Sequence, residues 1–160
     1  MQIVEPVRVE RTYVQKLRGK PEDIFPLLCP VREKEWAPGW DPLEVYTRSG
    51  FAETDCIFTT GEGKPESIWV ITDFDSTNYK VEIIKFTPDM TVGRINIALS
   101  KNDTGQTDAH ITYMYTAIGT DGEKFVRGYS EDFFQDFMKF SESTLNHFLE
   151  KHRDGGNDHS

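Results

Sequence analysis

The spacing of apolar residues predicts a strand at the start of the chain and six more strands in its middle. Val7, Val9, Tyr13 and Leu17 fall at even spacing, which is typical of a half-buried strand. Short alternating segments follow from Pro42 onward, separated by turns rich in Gly, Pro, Asn and Asp. The segments are PLEVYTRSG, TDCIFTTG, ESIWVITDF, NYKVEIIKFTP, TVGRINIALSKND and QTDAHITYMYTAIG. Because the turns are short, we expect neighbouring strands to pair antiparallel as a meander.

Two short helices are expected between the first and second strands. The segment RGKPEDIFPLL places Pro21 at a first helical position, followed by two acidic residues that the helix dipole favours. This helix should run to about Leu28. After Pro30, the segment VREKEW predicts one or two further turns, which Pro38 and Gly39 end.

The last apolar pattern has the period of a long helix. Its members recur at intervals of three and four: Val126, Tyr129, Phe133, Phe137, Phe140, Leu145 and Phe148. The helix should reach His152, with a break or kink expected at Gly128, which costs about 1 kcal/mol relative to Ala. Residues 153–160 have no apolar anchor and are expected to be a disordered tail, so one domain spans residues 1–152.

This order of elements predicts an α+β fold with a cavity. A seven-stranded antiparallel sheet twists, and it should curl around the one helix long enough to cover its concave face. Space should remain between the sheet, the helix and the turn after the second short helix, which is a common setting for small-molecule sites.

Composition and charge narrow the classes of partner. A length of 160 residues suits one domain, and a net charge of −9 argues against nucleic acid or an anionic membrane as partner. No apolar run reaches the roughly 18 residues of a membrane span, and the N-terminus MQIVEPVRVE has no basic region followed by an apolar one. We therefore expect a cytoplasmic protein in which Cys29 and Cys56 stay free thiols.

Several local motifs resemble the START-related, Bet v 1-like (SRPBCC) superfamily, which has the helix-grip fold. They are CPVREKEWAPGWDP at 29–42, SGFAETDCIFTT at 49–60, WVITDFD at 69–75, KFTPDMTVGRINIAL at 85–99 and TDAHITYMYTAIG at 107–119. More narrowly, the chain resembles the bacterial polyketide cyclase/dehydrase-like group. The superfamily includes lipid carriers, hormone receptors, aromatase/cyclases and chaperone activators, and it shares no catalytic signature, so the resemblance assigns no catalytic residue.

Alternation along the strands assigns side chains to the cavity wall. In the last strand, Thr107, Ala109, Ile111, Tyr113 and Tyr115 share the face expected to be concave. Two tryptophans flank Pro38-Gly39, where their rings would wall the cavity mouth. The resulting set of ligand-binding candidates is Trp36, Trp40, Phe58, Trp69, Ile97, Tyr113, Tyr115, Phe133 and Phe137. The alternative is that these side chains pack a solid core.

Candidate reactive groups are few. His110 falls on the outer face of its strand, and Cys29, Cys56 and His110 lack the spacing of a metal site, so neither a metal nor another cofactor is expected. Acidic residues near the cavity mouth predict a solvated rim. They are Glu33, Glu35, Asp41, Glu53 and Asp55.

Three functions remain open at the level of the sequence. The first is binding of a hydrophobic, lipid- or polyketide-like small molecule in the cavity. The second is a cyclase/dehydratase-type enzyme in which Tyr113, Tyr115 or Glu53 moves a proton. The third is a chaperone-activator-like interaction module. A pocket holding a carboxyl or tyrosine with a perturbed pKa favours the enzyme, an apolar pocket favours the carrier, and a filled core with an exposed apolar patch favours the module. Monomer and dimer are both open.

Overall fold

All seven strands form in the places where alternation predicts them. The computed structural model describes residues 1–157, and the side-chain surroundings of residues 1–153. The strands are β1 Arg8–Leu17, β2 Glu44–Tyr46, β3 Ile57–Thr60, β4 Ser67–Asp75, β5 Lys80–Thr87, β6 Thr91–Lys101 and β7 Thr107–Ala117. Period-two side chains and Gly- and Asp-containing turns are sufficient to specify them.

The strands form one antiparallel sheet in the order β1-β7-β6-β5-β4-β3-β2. From β2 to β7 every strand pairs with its neighbour in sequence, so the predicted meander is confirmed. The first strand lies at one edge of the sheet, where it pairs with β7, with Thr12 opposite Thr112. The register places Phe58, Trp69 and Lys85 side by side on neighbouring strands. This row lies on the concave face that carries the site described below.

Two short helical segments lie between β1 and β2, as predicted, and the first is α-helical only in its first turn. Helix α1 covers only Pro21–Ile24, and 3₁₀ turns follow at Phe25–Leu27 and Arg32–Glu35. The reason is that Pro26 and Pro30 have no N–H to donate, so an α-helical ladder cannot continue through them. The chain therefore makes a series of tight turns before Trp36.

The C-terminal helical region is divided where Gly128 predicts a break. Helix α2 spans Gly119–Gly128 and helix α3 spans Glu131–Asn157. Ser130 caps the start of α3, because its hydroxyl oxygen accepts a hydrogen bond of 3.1 Å from the backbone N–H of Phe133. The helical region thus begins at Gly119, before Val126, which is the first residue of the apolar pattern.

The end of α3 also differs from the prediction. The helix continues past the predicted end at His152 to Asn157, while the disorder of residues 153–160 stays a prediction. Residues 158–160 of the predicted tail lie outside the described residues.

Helix α3 covers the concave face and also closes one edge of the sheet. Phe134, Met138 and Leu145 on α3 are buried in the same apolar cluster as the inward side chains of β1, β6 and β7. The Asn146 side chain accepts a hydrogen bond from Arg18 N and donates one to Lys16 O. Because these groups belong to the free edge of β1, the helix occupies hydrogen-bonding positions that another strand would use.

Candidate functional site in the sheet and helix hollow

A hollow of about 320 Å³ lies between the sheet, helix α3 and the turns that precede β2. We call this space the hollow. Its wall consists of Gln15, Leu17, Leu28, Pro30, Glu33, Trp36, Ala37, Pro38, Gly39, Trp40, Phe58, Trp69, Ile83, Ile95, Ile97, Ala109, Ile111, Tyr113, Phe137, Met138, Phe140, Ser141, Thr144 and Leu145. Most of these side chains are apolar, so the space suits an apolar molecule.

Strand alternation correctly predicts the sheet side of the hollow. Ala109 and Ile111 are buried on β7, while His110 between them is exposed on the outer face. Ile95 and Ile97 line the hollow from β6, with Arg94 on the opposite face. The period of two thus separates wall residues from surface residues along the two longest strands.

The tryptophans form the aromatic part of the wall, and their N–H groups are bonded to protein. The Trp36 indole donates to Leu27 O at 3.0 Å, and the Trp40 indole donates to Pro30 O at 2.8 Å. The Trp69 ring stacks on Phe58 with 5.2 Å between ring centres and meets Trp40 edge-on at 5.8 Å. Because the polar atom of each tryptophan is satisfied, the rings are held in place and present apolar surface to the hollow.

Two predicted site residues do not line the hollow. Tyr115 is buried above Gly93, where a Cβ atom would lie 2.8 Å from its ring, and it packs edge-on against Phe125. Phe133 is 59% exposed, is not among the lining residues, and packs edge-on against Tyr129. In contrast, Phe137 lines the hollow although it is 41% exposed, so it stands at the mouth. The other seven predicted residues also belong to the wall or its mouth: Trp36, Trp40, Phe58, Trp69, Ile97, Tyr113 and Phe137.

The acidic residues predicted for the rim have different surroundings. Three of them bond to neighbouring protein groups, and one, Glu33, faces the hollow. Glu35 pairs with Arg32 at 2.6 Å and Asp41 pairs with Lys34 at 3.3 Å, both on the outer surface. Glu53 accepts hydrogen bonds from the 47–49 loop, which lower its pKa to about 2. Glu53 therefore holds a loop in place, and its ionised state makes it a poor proton donor at neutral pH.

Glu33 differs from its acidic neighbours because it lines the hollow. Within the described part of the chain its carboxyl has no hydrogen-bond or ion-pair partner, and the surface that it keeps accessible opens into apolar space. Burial raises the pKa of Glu33 to about 8. The carboxyl is therefore mostly protonated at neutral pH.

Tyr113 brings a second polar group to the hollow from β7. Its ring meets Phe134 and Phe137 edge-on, at 5.4 and 5.9 Å between ring centres. The hydroxyl has no hydrogen-bond partner among the described residues. Burial raises the pKa of Tyr113 well above its ordinary value, and the nearby charges of Tyr115 and Glu33 add to the effect. The phenol is therefore neutral and able to donate.

Sequence reasoning missed two polar residues near the hollow. Gln15 lines it, and its amide donates to Met138 O at 3.0 Å and to the Ser141 hydroxyl at 2.8 Å, which ties β1 to α3. Lys85 places its ammonium 4.5 Å from the centre of the Trp69 ring, and burial lowers its pKa. The sequence contains a signal for Lys85, because this residue follows Ile83 by two positions and therefore shares the concave face of β5 with it.

The remaining candidate groups form no reactive cluster. Across residues 1–153, no three His, Cys, Asp or Glu side chains gather closely enough to hold a metal ion. Cys29 and Cys56 are buried free thiols, and the backbone N–H of Ala52 donates to Cys29 Sγ at 3.1 Å. No helix within the described region combines the length and the apolar character needed to cross a bilayer.

Comparison with solved structures defines the class of fold. The chain is similar to a protein of unknown function from Staphylococcus aureus, with TM-score 0.70, 13% identity, and coverage of 94% of this chain and 98% of that chain. It is similar to Ara h 8.0201, with TM-score 0.62, 12% identity and coverage of 89% and 99%. For norcoclaurine synthase from Thalictrum flavum the TM-score is 0.61, with 14% identity and coverage of 88% and 87%. No protein-family model and no curated protein matches the sequence.

The fold is thus the helix-grip fold, a seven-stranded antiparallel sheet around a long C-terminal helix, as the sequence predicts. At 11 to 16% identity these similarities establish the fold alone. They assign no ligand and no reaction to this chain.

Proposed function

We propose that the protein is a cytoplasmic binder of a hydrophobic, lipid- or polyketide-like small molecule. The single observation that carries the proposal is the hollow of about 320 Å³, with its aromatic wall. This volume is about ten times the share of one water molecule in the liquid and falls at the lower end of small-molecule sites. The buried free thiols Cys29 and Cys56 fit the reducing compartment that we propose.

The mouth of the hollow supports entry of an apolar molecule. Phe137 and Phe140 face it from α3 and are 41% and 58% exposed. Across the mouth lie Trp36 and Trp40, which are half-buried. A ligand that enters would cover these rings and remove apolar surface from water, at about 25 cal/mol per Å² buried.

Binding of N-phenyl-1-naphthylamine, a neutral fluorophore whose emission rises in apolar surroundings, tests this proposal. We expect a Kd in the micromolar range, which corresponds to about −8 kcal/mol. Phe137→Ala should weaken binding by about fivefold or more, while Phe133→Ala should change it less than about twofold, because only Phe137 lines the hollow. The two variants form a matched pair, since both residues are exposed on the same helix.

Two results would contradict the proposal. One is absence of binding to the folded wild-type protein. The other is equal loss of affinity in the two Phe variants, which would place the fluorophore on the outer surface of α3. Absence of binding would favour the interaction module, for which the exposed side chains of Phe133 and Phe140 would then be the contact surface.

A second candidate is a proton-transfer enzyme of the cyclase/dehydratase type, and Glu33 is the observation that favours it. An acid whose pKa of about 8 lies near the working pH can donate a proton to a carbonyl or hydroxyl oxygen inside the hollow. Such donation promotes enolisation while water removes the α-proton. Exchange of the α-protons of an aryl ketone in heavy water, followed by NMR, tests this. Exchange no faster than in Glu33→Gln would argue against an enzyme.

A further inference from the structure

The polar groups of the hollow divide into those already bonded and those left free. The Gln15 side-chain nitrogen, the Ser141 hydroxyl and the Thr144 hydroxyl all have partners within the protein, whereas the Gln15 side-chain oxygen is an acceptor without one among the described residues. The indole N–H groups of the three tryptophans are bonded as well. Among the lining residues, all of which lie in the described region, Glu33 and Tyr113 are the ones whose polar side chains have no partner at all, and both are able to donate when protonated.

These two groups come from different elements but lie near each other. Glu33 belongs to the 3₁₀ turn after Pro30, and Tyr113 belongs to the concave face of β7. Both side chains line the same hollow, and the charge of Glu33 is one of the smaller causes that raise the pKa of Tyr113. Both side chains are half-buried, so they keep accessible surface inside the hollow. A ligand that covers this surface must bond to both groups, since each polar group left without a partner costs about 1 to 3 kcal/mol.

We propose that the Tyr113 hydroxyl and the Glu33 carboxyl together bind one oxygen atom of the ligand. The ligand is therefore a flat apolar molecule that carries a ketone or phenol oxygen. This inference rests on the proposed function, since it requires that the hollow be a binding site, and it specifies the class of ligand.

The protonation states of Tyr113 and Glu33 allow both side chains to donate a hydrogen bond to the ligand oxygen. At neutral pH the Tyr113 phenol keeps its proton, and so does most of the Glu33 population, since the pKa of Glu33 is about 8. Two neutral donors in a site of low dielectric stabilise partial negative charge on an oxygen atom without a buried charge of their own. An ammonium ligand would instead require ionised Glu33, so it would bind more tightly as the pH rises towards 8.

A pair of fluorophores that differ by one ketone provides the test. The first is 6-propionyl-2-(dimethylamino)naphthalene, and the second is 2-(dimethylamino)naphthalene, which lacks the acyl group. We expect Tyr113→Phe to weaken binding of the ketone by about fivefold, the equivalent of about 1 kcal/mol for one hydrogen bond. Glu33→Leu should do the same. The compound without the ketone should change less than about twofold in either variant.

Two controls separate this site from general effects. Glu35→Gln alters a carboxylate in the same turn that is paired with Arg32 on the surface, and it should leave both affinities unchanged. In the wild type, affinity for the ketone should fall above about pH 8 as Glu33 ionises, and this fall should be absent in Glu33→Gln. Glu33 and Tyr113 are the titratable side chains in the wall, and Tyr113 ionises at much higher pH.

The outcomes distinguish this inference from the proposed function. If both fluorophores bind and the variants affect them equally, the paired oxygen site is wrong while binding in the hollow stands. If affinity for the ketone rises between pH 6 and pH 8, Glu33 accepts rather than donates, and the assignment of ligand class is overturned. If neither compound binds to the folded protein, the proposed function fails together with the inference.

Discussion

At the scale of single residues, position decides what a carboxyl can do. Glu33 and Glu35 lie in the same 3₁₀ turn, yet their pKa values move in opposite directions. A hydrogen bond from Arg32 lowers the pKa of Glu35, whereas burial without a partner raises that of Glu33. Glu33 faces the hollow and Glu35 faces the surface. At neutral pH the first is therefore mostly a protonated acid and the second is an anion, although both are glutamates.

The raised pKa of Glu33 predicts that the protein loses stability as the pH rises. The folded state keeps the Glu33 proton up to a pKa of about 8, while the unfolded chain loses it near 4.5, so the folded state binds more protons in that window. One pKa unit corresponds to about 1.4 kcal/mol. Glu33 keeps some accessible surface, and solvent there weakens the effect. We expect this group to remove about 1 to 2 kcal/mol between about pH 5 and pH 8.

Urea denaturation of the wild type and of Glu33→Gln at a series of pH values measures this effect. The difference in free energy of unfolding between the two proteins should grow in favour of the Gln variant from about pH 5 to pH 8. Glu35→Gln is the control, and its difference should stay nearly constant from about pH 5 to pH 8, because the lowered pKa of Glu35 places its titration below that range. A constant difference for Glu33→Gln would show that its carboxyl is hydrated.

The sequence predicts residue faces well and residue surroundings poorly. A period of two correctly assigns Ile111 and Tyr113 to the concave face of β7. It cannot distinguish Tyr113 from Tyr115, because both share that face, and Tyr115 is instead packed over Gly93 and against Phe125, outside the hollow. The isolation of Glu33 was equally hidden, since charge pattern alone does not reveal which carboxyl lacks a cation.

At the scale of elements, the start of α2 is defined by its contact with the turn between β5 and β6. A Cβ atom on Gly122 would lie 1.7 Å from the carbonyl oxygen of Met90, which is backbone and cannot rotate away. The same oxygen accepts a hydrogen bond of 2.9 Å from Ile118 N. The absence of a side chain at Gly122 therefore lets the helix lie directly on this turn.

We expect Gly122→Ala to destabilise the protein by about 2 kcal/mol or more, because overpacking against backbone forces the helix to move. Gly128→Ala provides the matched control at the other end of α2, where a Cβ atom would have no neighbour within 4 Å. It should be neutral or stabilising by up to about 1 kcal/mol. Urea midpoints measure both changes. Similar midpoints for the two variants would mean that α2 shifts without cost.

The residues at which helices begin and end were the least predictable features of the secondary structure, and backbone hydrogen bonding explains why. Apolar spacing places a long C-terminal helix correctly, and Gly128 marks its interruption. The capping contact of Ser130 that restarts the helix is local, so the sequence contains that signal as well. Before β2, in contrast, the acidic first turn predicts more helix than Pro26 and Pro30 permit.

At the scale of the whole molecule, the hollow results from how sheet, helix and turns close on one another. Seven strands give a sheet wide enough to curl around α3, and the Trp36–Trp40 turn closes one end. Met138 and Leu145 fill the interior beneath the helix, while the region next to Tyr113 stays open. The same elements thus provide both the core and the site, so occupation of the hollow should stabilise the entire fold.

Cys29 and Cys56 allow this coupling to be measured, because each is 1% exposed. Burial raises the pKa of Cys56 to about 11, and only a thiolate reacts rapidly with Ellman's reagent. We expect no reaction in the native state and two reactive thiols in denaturant without reductant. N-phenyl-1-naphthylamine at 100 times its Kd should slow labelling by about 100-fold, which corresponds to about 2.7 kcal/mol, if exposure requires global unfolding. Labelling at an unchanged rate would instead show that the segments containing Cys29 and Cys56 open locally, independently of the hollow.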